Sequence, residues 1–575
     1  MIVIPEPPRR TSHRPPIQAC HYIAASGHYL ATTAAMRILA KGGNAIDAGV
    51  AAGICINILL PDLTSFGGVA PIIVYHKPTG ELRSISGLGC WGNEANIDVY
   101  QREEGGEIPV GARRSIVPGA ADSWLTALAR YGRLTFEEVV TPAIELCEQG
   151  FQVYPSLHRN IGKEVETIRQ WESTSSIFLH DREAPQVGDV LLQRDLARTF
   201  RRMIAAEQSA SGRGRAAAIE AARDEFYTGD IGKQIAEFIS AEGGFMTEAD
   251  LADFHVDIEE PVQIQYMGID VYATGPWSQG PVIPQTLNIL EGYDLVDIGH
   301  NSADYIHLIS QALNLAFADR EAYYGDPKFV DVPLETLLSK EYAARQRSRI
   351  KPHQAFSEMP EPGLGARASA LLAGDLATPM QPDTSYVCVV DEEGNAFSAT
   401  PSDGIGSTPI VPGLGLICSG RGSQSWLEPE HASSLQGGKR PRLTPNPAMA
   451  FRDGRLFMPF GTPGADMQPQ SMIQVFLNVV EFGMDPQEAI EQPRFGTFSY
   501  PESFWPHTYR PGSLKLEARI PASVVDDLRT RGHQIDVWPE WTRIVGNVCA
   551  ITVDHERQTL TGGADARAEA YAAGW

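Results

Sequence analysis

Basic residues are scarce in this chain. Lys and Arg number 47 against 71 Asp and Glu among 575 residues, a formal net charge of −24. A surface this acidic repels nucleic acid and anionic membranes, and no Lys/Arg stripe offsets it. Long apolar runs are missing as well. None reaches the roughly 18 residues of a membrane-spanning helix, and the opening MIVIPEPPRRTSHRPPIQAC has no apolar run of signal-peptide length. The seven cysteines, Cys20, Cys55, Cys90, Cys147, Cys388, Cys418 and Cys549, are scattered without a CxxC. Free, mostly buried thiols are expected, and with them a cytoplasmic location. There is no GxSxG, no HExxH, no P-loop and no GxGxxG opening a helix after a strand. The 14 histidines do not cluster at metal-ligand spacings.

What is present is an ordinary globular balance, 43% hydrophobic and 21% charged. Residues 1–20 read as a flexible arm, because Pro-rich polar segments bury too little to order themselves. HYLATTAAMRILAKGG predicts a helix with Leu30, Ala34 and Ile38 on one face, ended by Gly42-Gly43. NAIDAGVAAGICINILL predicts a helix buried nearly all round. APIIVYH and LRSISGL flank the turn KPTGE as a hairpin. Residues 115–345 read as mainly helical, with Thr247 and Asp250 forming an N-cap signal and a low-complexity loop over 206–222. Residues 346–383 are Pro- and Gly-bearing and unpatterned, a flexible linker. TSYVCVVDEEGNAFSAT follows as a hairpin around DEEGN, with Thr384 at the first residue of its first strand. Strands and tight turns are expected from there to about residue 465, then helices in SMIQVFLNVVEFG and ASVVDDLRTRG. Helices, then strands, then a mixture, without βαβ alternation, predict a layered α+β sandwich rather than a doubly wound sheet.

Thr384 is the chemically distinctive position. If the bond from Asp383 to Thr384 is cut, Thr384 gains a free α-amine beside its own hydroxyl. The reference pKa of such an amine is near 8, so a useful fraction can act as base for the hydroxyl, a weak nucleophile without one. A Thr opening a strand is ordinarily structural, and only its surroundings change that reading.

Those surroundings resemble the gamma-glutamyltransferase (glutathione hydrolase) family, whose members self-process at a Thr in a stretch like D-T-T-H-x-S-V-V-D-x-x-G-N-A. This chain has D-T-S-Y-V-C-V-V-D-E-E-G-N-A from Asp383 to Ala396. Further matching stretches are KGGNAIDAGVAAG (Lys41–Gly53), SIVPGAADSW (Ser115–Trp124), DEFYTGDIGKQIA (Asp224–Ala236), GGFMTEADL (Gly243–Leu251), FADREAYYGDP (Phe317–Pro327), KRPRLTPNPAM (Lys439–Met449) and GTPGADMQPQ (Gly461–Gln470). The resemblance thus spans most of the chain. It implies a four-layer αββα sandwich and a large subunit, 21–383, that stays associated with a small subunit, 384–575, after cleavage between Asp383 and Thr384, as a heterodimer or heterotetramer. It implies Thr384 as nucleophile and Ser402, where the family has a second Thr, as the hydroxyl that orients it. Gly464 and Ala465 then supply the oxyanion-hole N–H groups, with Ala465 tolerated only if it does not need positive φ. No metal or organic cofactor is needed; the expected partner is a small-molecule amide substrate, with no nucleic acid and no membrane.

The departures from the family concern the acyl group. The stretch that carries its carboxylate-binding Arg is SGLGCWGNEA here, with Leu88 or a neighbour in its place. The Ser-Ser pair corresponds to Leu443 and Thr444, and an upstream Asn that touches the amine corresponds to Gly404, beside Asp403. The amine-binding stretch is SGRGSQSW (Ser419–Trp426), with Arg421 near the family's Gln and no Asp for an ammonium. Arg421, Thr444 and Gln424 are the candidate substrate-binding residues, and Arg421 suits a carboxylate or carbonyl; its competing reading is a turn residue facing solvent. The pattern is similar to the oxamate amidohydrolase-like and acylase-like branches and predicts a self-processing amide hydrolase acting on a small or carboxylate-bearing acyl group, with transfer to an amine acceptor open. The alternatives are a true gamma-glutamyltransferase and an inactive binding or scaffold protein.

Overall fold

Asn44 caps a helix buried on every side. In the computed structural model, which describes residues 12–365 and 383–575, the Asn44 side chain accepts from the N–H groups of Ile46 and Asp47, and the Asp47 carboxylate accepts the Asn44 N–H. All 15 residues of Ala45–Leu59 are buried. The small residues of this stretch have a packing cause. A Cβ at Gly49 would lie 2.1 Å from the Phe397 ring, and one at Gly53 2.5 Å from the Trp124 ring. The helix therefore sits directly on the sheet below it and on the helix Ala120–Tyr131 beside it. The preceding helix, Tyr29–Ala40, is capped by His28 and ends at Lys41, after which Gly42 turns at φ +94°.

Two seven-stranded antiparallel sheets form the centre. One runs in the order Tyr571–Gly574, Ile23–Ser26, Val387–Val390, Ala396–Ala399, Ile72–His76, Glu81–Ile85, Ile258–Glu259. The other runs Ile17–Ala19, Thr559–Ala564, Cys549–Asp554, Arg455–Gly461, Ala448–Arg452, Ile269–Ala273, Val262–Tyr266. Strand alternation sorts the side chains into three cores. Ile72, Val74, Val387 and Val389 face the N-terminal helices. Ile73, Tyr75, Cys388 and Val390 meet Met449, Phe451, Cys549 and Ile551 between the sheets. Ala448, Ala450, Met458 and Phe460 face the helices Val282–Leu290, Ala303–Tyr323 and Met467–Val480. The result is the four-layer αββα sandwich, with strands from before and after residue 383 interleaved in one sheet.

Both hairpins form, and Thr247 with Asp250 makes a reciprocal cap. Four readings change. Residues 206–222 are helical apart from a short turn at Ser211–Arg213, because Leu196, Phe200, Met203 and Ile219 bury one face of the pair. Five strands interrupt the region read as helical: Phe151–Gln152 and Val190–Leu191 pair with each other, Val262–Tyr266 and Ile269–Ala273 form a local hairpin, and Ile258–Glu259 and Ile269–Ala273 also pair with distant strands. Ile17–Ala19, read as part of the arm, pairs with Ala19 opposite Leu560 as an edge strand. Thr384 precedes the strand Val387–Val390 rather than opening it. Residues 1–11 of the arm and 366–382 of the linker lie outside the described residues. Among the described residues, no helix is long and apolar enough to cross a membrane. Of the cysteines, Cys20 is exposed, Cys90 half-buried and the other five buried, all as free thiols.

Candidate active site

The hairpin Val387–Ala399 fixes two hydroxyls at its open end. Beyond its last rung, Ser385 donates its N–H to the Pro401 carbonyl at 2.9 Å, and Thr384 pairs with Ser402 in an isolated antiparallel bridge. Ser402 is tied on its other side by its N–H to the Val69 carbonyl, 2.9 Å. The two side chains are buried, and their oxygens are 2.8 Å apart. Thr384 Oγ1 also lies 2.5 Å from the main-chain carbonyl oxygen of Asp383, to which Ser402 Oγ donates as well.

Arg421 closes the other side. It opens a short turn, Arg421–Gln424, and is fully buried, which excludes the solvent-facing reading. Its Nη2 donates at 2.9 Å to the Asp383 carbonyl and at 2.9 Å to the Asp383 carboxylate, and it also contacts Ser402 Oγ. Its Nε is 3.3 Å from a carboxylate oxygen of buried Asp403. The face of the guanidinium lies 4.9 Å from the Phe504 ring centroid. Nη1 reaches Thr444 Oγ1 at 3.5 Å, and Thr444 accepts Gln424 Nε2 at 2.8 Å. Arg421, Thr444 and Gln424 are thus gathered around one point, as their sequence positions suggested.

Two carboxylates share this single guanidinium. Burial, with Asp403 beside it, raises the Asp383 carboxyl to about 6 against the pull of Arg421. Burial likewise raises Asp403, again opposed by Arg421. A second arginine, Arg114, donates to the carbonyls of Pro109 and Ile108 at 2.7 and 2.8 Å; burial lowers it to about 10, and Asp383 is among the charges that hold it up. Sequence reading passed over Arg114, Phe504 and the role of Asp403. The pair Arg113-Arg114 just before SIVPG was the one available signal.

Gly464 and Ala465 follow the strand Arg455–Gly461 and precede the helix Met467–Val480. Their φ values are +129° and +49°. Ala465 therefore occupies the left-handed region that its lack of Gly makes costly, by about 1–2 kcal/mol. A clamp holds it there. Gln279 Nε2 donates to the Ala465 carbonyl at 2.9 Å and to the Thr444 carbonyl at 2.8 Å, while its Oε1 accepts from buried Arg320 at 3.0 Å. Arg320 in turn pairs with Asp466 at 2.5 Å. A chain of hydrogen bonds so links the Arg421 side of the site to the turn.

Leu88, Leu443 and Gly404 are tightly packed positions. Leu88 and Leu443 belong to one apolar cluster with Trp91 and Trp277, and both are buried. At Gly404 a Cβ would come 2.1 Å from the Asp62 carbonyl oxygen, so no side chain fits. Among the described residues, no group of three or more His, Cys, Asp or Glu could hold a metal ion.

Two central antiparallel sheets sandwiched between helical layers, with a Thr in an isolated bridge just before a central strand, define an N-terminal-nucleophile hydrolase fold. The family model for gamma-glutamyltranspeptidase matches residues 31–575, and the chain belongs to that family of enzymes. It is 33% identical over 553 residues to a glutathione hydrolase-like YwrD proenzyme of Bacillus subtilis (strain 168), covering 96% of this chain and 97% of the relative. It is 33% identical over 574 residues to an acylase ACY 1 proenzyme of Pseudomonas sp. (strain SE83), covering 97% and 94%. Among solved structures, the cephalosporin acylase from Bacillus halodurans superimposes with a TM-score of 0.85 at 28% identity, covering 100% of this chain and 99% of that one.

Proposed function

We propose that the chain cuts itself between Asp383 and Thr384 and that the freed Thr384 is the nucleophile of an amide hydrolase. The observation that supports this most is the position of Thr384 Oγ1, 2.5 Å from the carbonyl oxygen of the bond to be cut and 2.8 Å from Ser402 Oγ. After cleavage the α-amine of Thr384 takes the hydroxyl proton and later returns it to the leaving amine. The acyl group of the substrate passes to Thr384, and the N–H groups of Gly464 and Ala465 stabilise the tetrahedral oxygen. Water releases the acid; an amine acceptor would give transfer instead. The two subunits stay associated, because strands from both sides of the cut share one sheet, with a heterotetramer of two such units left open. A cytoplasmic location is part of the same proposal.

The proposed substrate is an amide whose acyl group is small or carboxylate-ended and lacks an α-amine. Arg421, Thr444 and Gln424 would receive the carboxylate, while Leu88, Leu443 and Gly404 leave no grip for an amino-acid head group. The decisive experiment is intact-mass measurement of the wild-type chain beside Thr384→Ala and Thr384→Ser. Thr384→Ala should remain uncut and inactive, and Thr384→Ser should retain part of both activities. Complete cutting of Thr384→Ala would remove the proposal.

A further inference from the structure

The Asp383 carbonyl oxygen is contacted by Thr384 Oγ1, by Ser402 Oγ and by Arg421 Nη2 at 2.9 Å. The N–H groups of Gly464 and Ala465 are not among its donors within the described residues. Other buried arginines also donate to main-chain carbonyls, Arg442 to that of Arg320 for one; what sets the Arg421 contact apart is that its carbonyl belongs to the bond before Thr384 and is shared with two hydroxyls. Here Arg421 is wholly buried, and it divides its donors between that oxygen, the Asp383 and Asp403 carboxylates and Ser402. We infer that Arg421, with Ser402 as second donor, is the oxyanion acceptor of the self-cleavage step, separate from the Gly464–Ala465 turn assigned to substrate turnover. This rests on the proposed role of Thr384.

The chemistry balances on these residues. Thr384 Oγ bonds to the Asp383 carbonyl carbon, and the electron pair of the C=O bond moves onto the oxygen facing Arg421. Collapse of that intermediate breaks the bond to the Thr384 nitrogen, which takes up the proton lost from Oγ. The product is an ester between the Asp383 acyl group and Thr384 Oγ, with a free α-amine. Water cleaves the ester, leaving a new main-chain α-carboxylate on Asp383 and the restored Thr384 hydroxyl. As the oxygen turns anionic, its hydrogen bond to a fixed cation in a dry site strengthens where a bond to water would require reorganisation. Ser402 accepts from Arg421 while donating to the same oxygen, so the cation polarises its proton too. The second contact of Nη2, to the Asp383 carboxylate at 2.9 Å, holds the peptide so that its carbonyl faces the guanidinium.

The test is the rate of self-cleavage of freshly synthesised full-length chain, followed by intact mass. Arg421→Met removes every donor at similar length and should slow cleavage by about 100-fold or more. Arg421→Lys keeps one charge without the fork and should fall between Met and wild type. Added hydroxylamine, which breaks an accumulated ester, should not restore Arg421→Met, because ester formation itself is slowed. Asp383→Asn keeps the carbonyl and loses only the carboxylate, so it should slow cleavage far less than Arg421→Met. Near-wild-type cleavage of Arg421→Met, or rescue of it by hydroxylamine, would overturn the inference. So would Asp383→Asn cleaving as slowly as Arg421→Met, which would place the action of Arg421 on the carboxylate. If Arg421→Met fails to fold, as judged by its melting midpoint, Arg421→Lys and Asp383→Asn decide the matter on the same readout. Cutting of Thr384→Ala would sink the parent proposal, whereas normal cutting of Arg421 variants with Thr384→Ala uncut would sink this inference alone.

Discussion

The hydroxyl oxygens of Thr384 and Ser402 face each other at 2.8 Å across an antiparallel bridge, both side chains buried. The bridge sets the separation, and the Ser402 tie to Val69 keeps the partner from swinging away. On the proposed mechanism, removing the Ser402 oxygen takes away an orienting hydrogen bond and the weaker of the two donors to the Asp383 carbonyl, and leaves Thr384 and Arg421 in place. Ser402→Ala should therefore slow self-cleavage by roughly tenfold, the worth of one buried hydrogen bond, without stopping it. Ser402→Thr, which restores the hydroxyl, should recover most of the rate. Gel densitometry over time checks both, and complete arrest in Ser402→Ala would assign that hydroxyl a larger part.

The turn Gly464–Ala465 predicts an asymmetry between neighbouring residues. Gly464 stands at φ +129°, and a Cβ there would lie 3.3 Å from Met467 Cβ. Gly464→Ala should cost about 1–3 kcal/mol of stability and lower kcat by moving an N–H group. Ala465 is already left-handed at φ +49°, so Ala465→Gly should change stability by less than about 1 kcal/mol and preserve activity. Thermal melts and steady-state kinetics check the pair; equal effects would mean that the turn is not held as described.

Much of the fold was legible because local pattern and tertiary role agreed. The small-residue helix Ala45–Leu59, the two hairpins and the cap at Thr247 carry their causes in adjacent residues. The strands Ile258–Glu259 and Ile269–Ala273 were harder to see, because partners far along the chain help decide them, whereas Val262–Tyr266 pairs with Ile269–Ala273 in a local hairpin that the sequence reading missed. In the site, Thr384, Ser402, Arg421, Thr444 and Gln424 could be named in advance and are found together. The positive φ of Ala465 ran against the expectation that Ala is tolerated only without one, and its clamp, Gln279 and Arg320, comes from segments 186 and 146 residues away from their partners Ala465 and Asp466. Such long-range hydrogen bonds leave no local pattern. Phe504 and the part Asp403 plays were hidden for the same reason: both meet Arg421 from distant parts of the chain or through burial that no local pattern shows.

Asp383 gives the precursor a pH signature. Its ordinary value is 3.8, and burial with Asp403 nearby raises it to about 6 in the folded chain. Between those values the folded chain holds a proton that the unfolded chain has released. The contribution of this group to stability is thus full below about 4 and lost as pH rises through about 6. In the uncut Thr384→Ala background, adding Asp383→Asn places a neutral group there at every pH. The melting midpoint of the Asn-bearing chain should gain on its Asp counterpart as pH rises from 4.5 to 7.5 (a range on the order of the titration window). A gap that stays constant would show that Asp383 does not titrate in this interval.

The filled clamp predicts the order of substrates. On the proposed reading, Leu88 and Leu443 packed with Trp91 and Trp277, and no space at Gly404, deny a γ-glutamyl group the grip that the family resemblance places there, a loss of about 1.5–3 kcal/mol in a closed pocket. The specificity constant kcat/KM for glutaryl or oxamate-type amides should exceed that for a γ-glutamyl anilide by at least about tenfold. Efficient hydrolysis of glutathione would point instead to a true gamma-glutamyltransferase.

By the proposal above, Thr384 becomes an N-terminal residue by the chain's own action. N-terminal sequencing of the smaller fragment, from purified chain of 62.6 kDa incubated alone, tests it most directly. Expected are fragments of about two-thirds and one-third of the precursor that remain associated, the smaller beginning Thr-Ser-Tyr-Val, and an uncut Thr384→Ala chain under the same conditions. A smaller fragment with any other first residue, or a wild-type chain that stays whole, would contradict it.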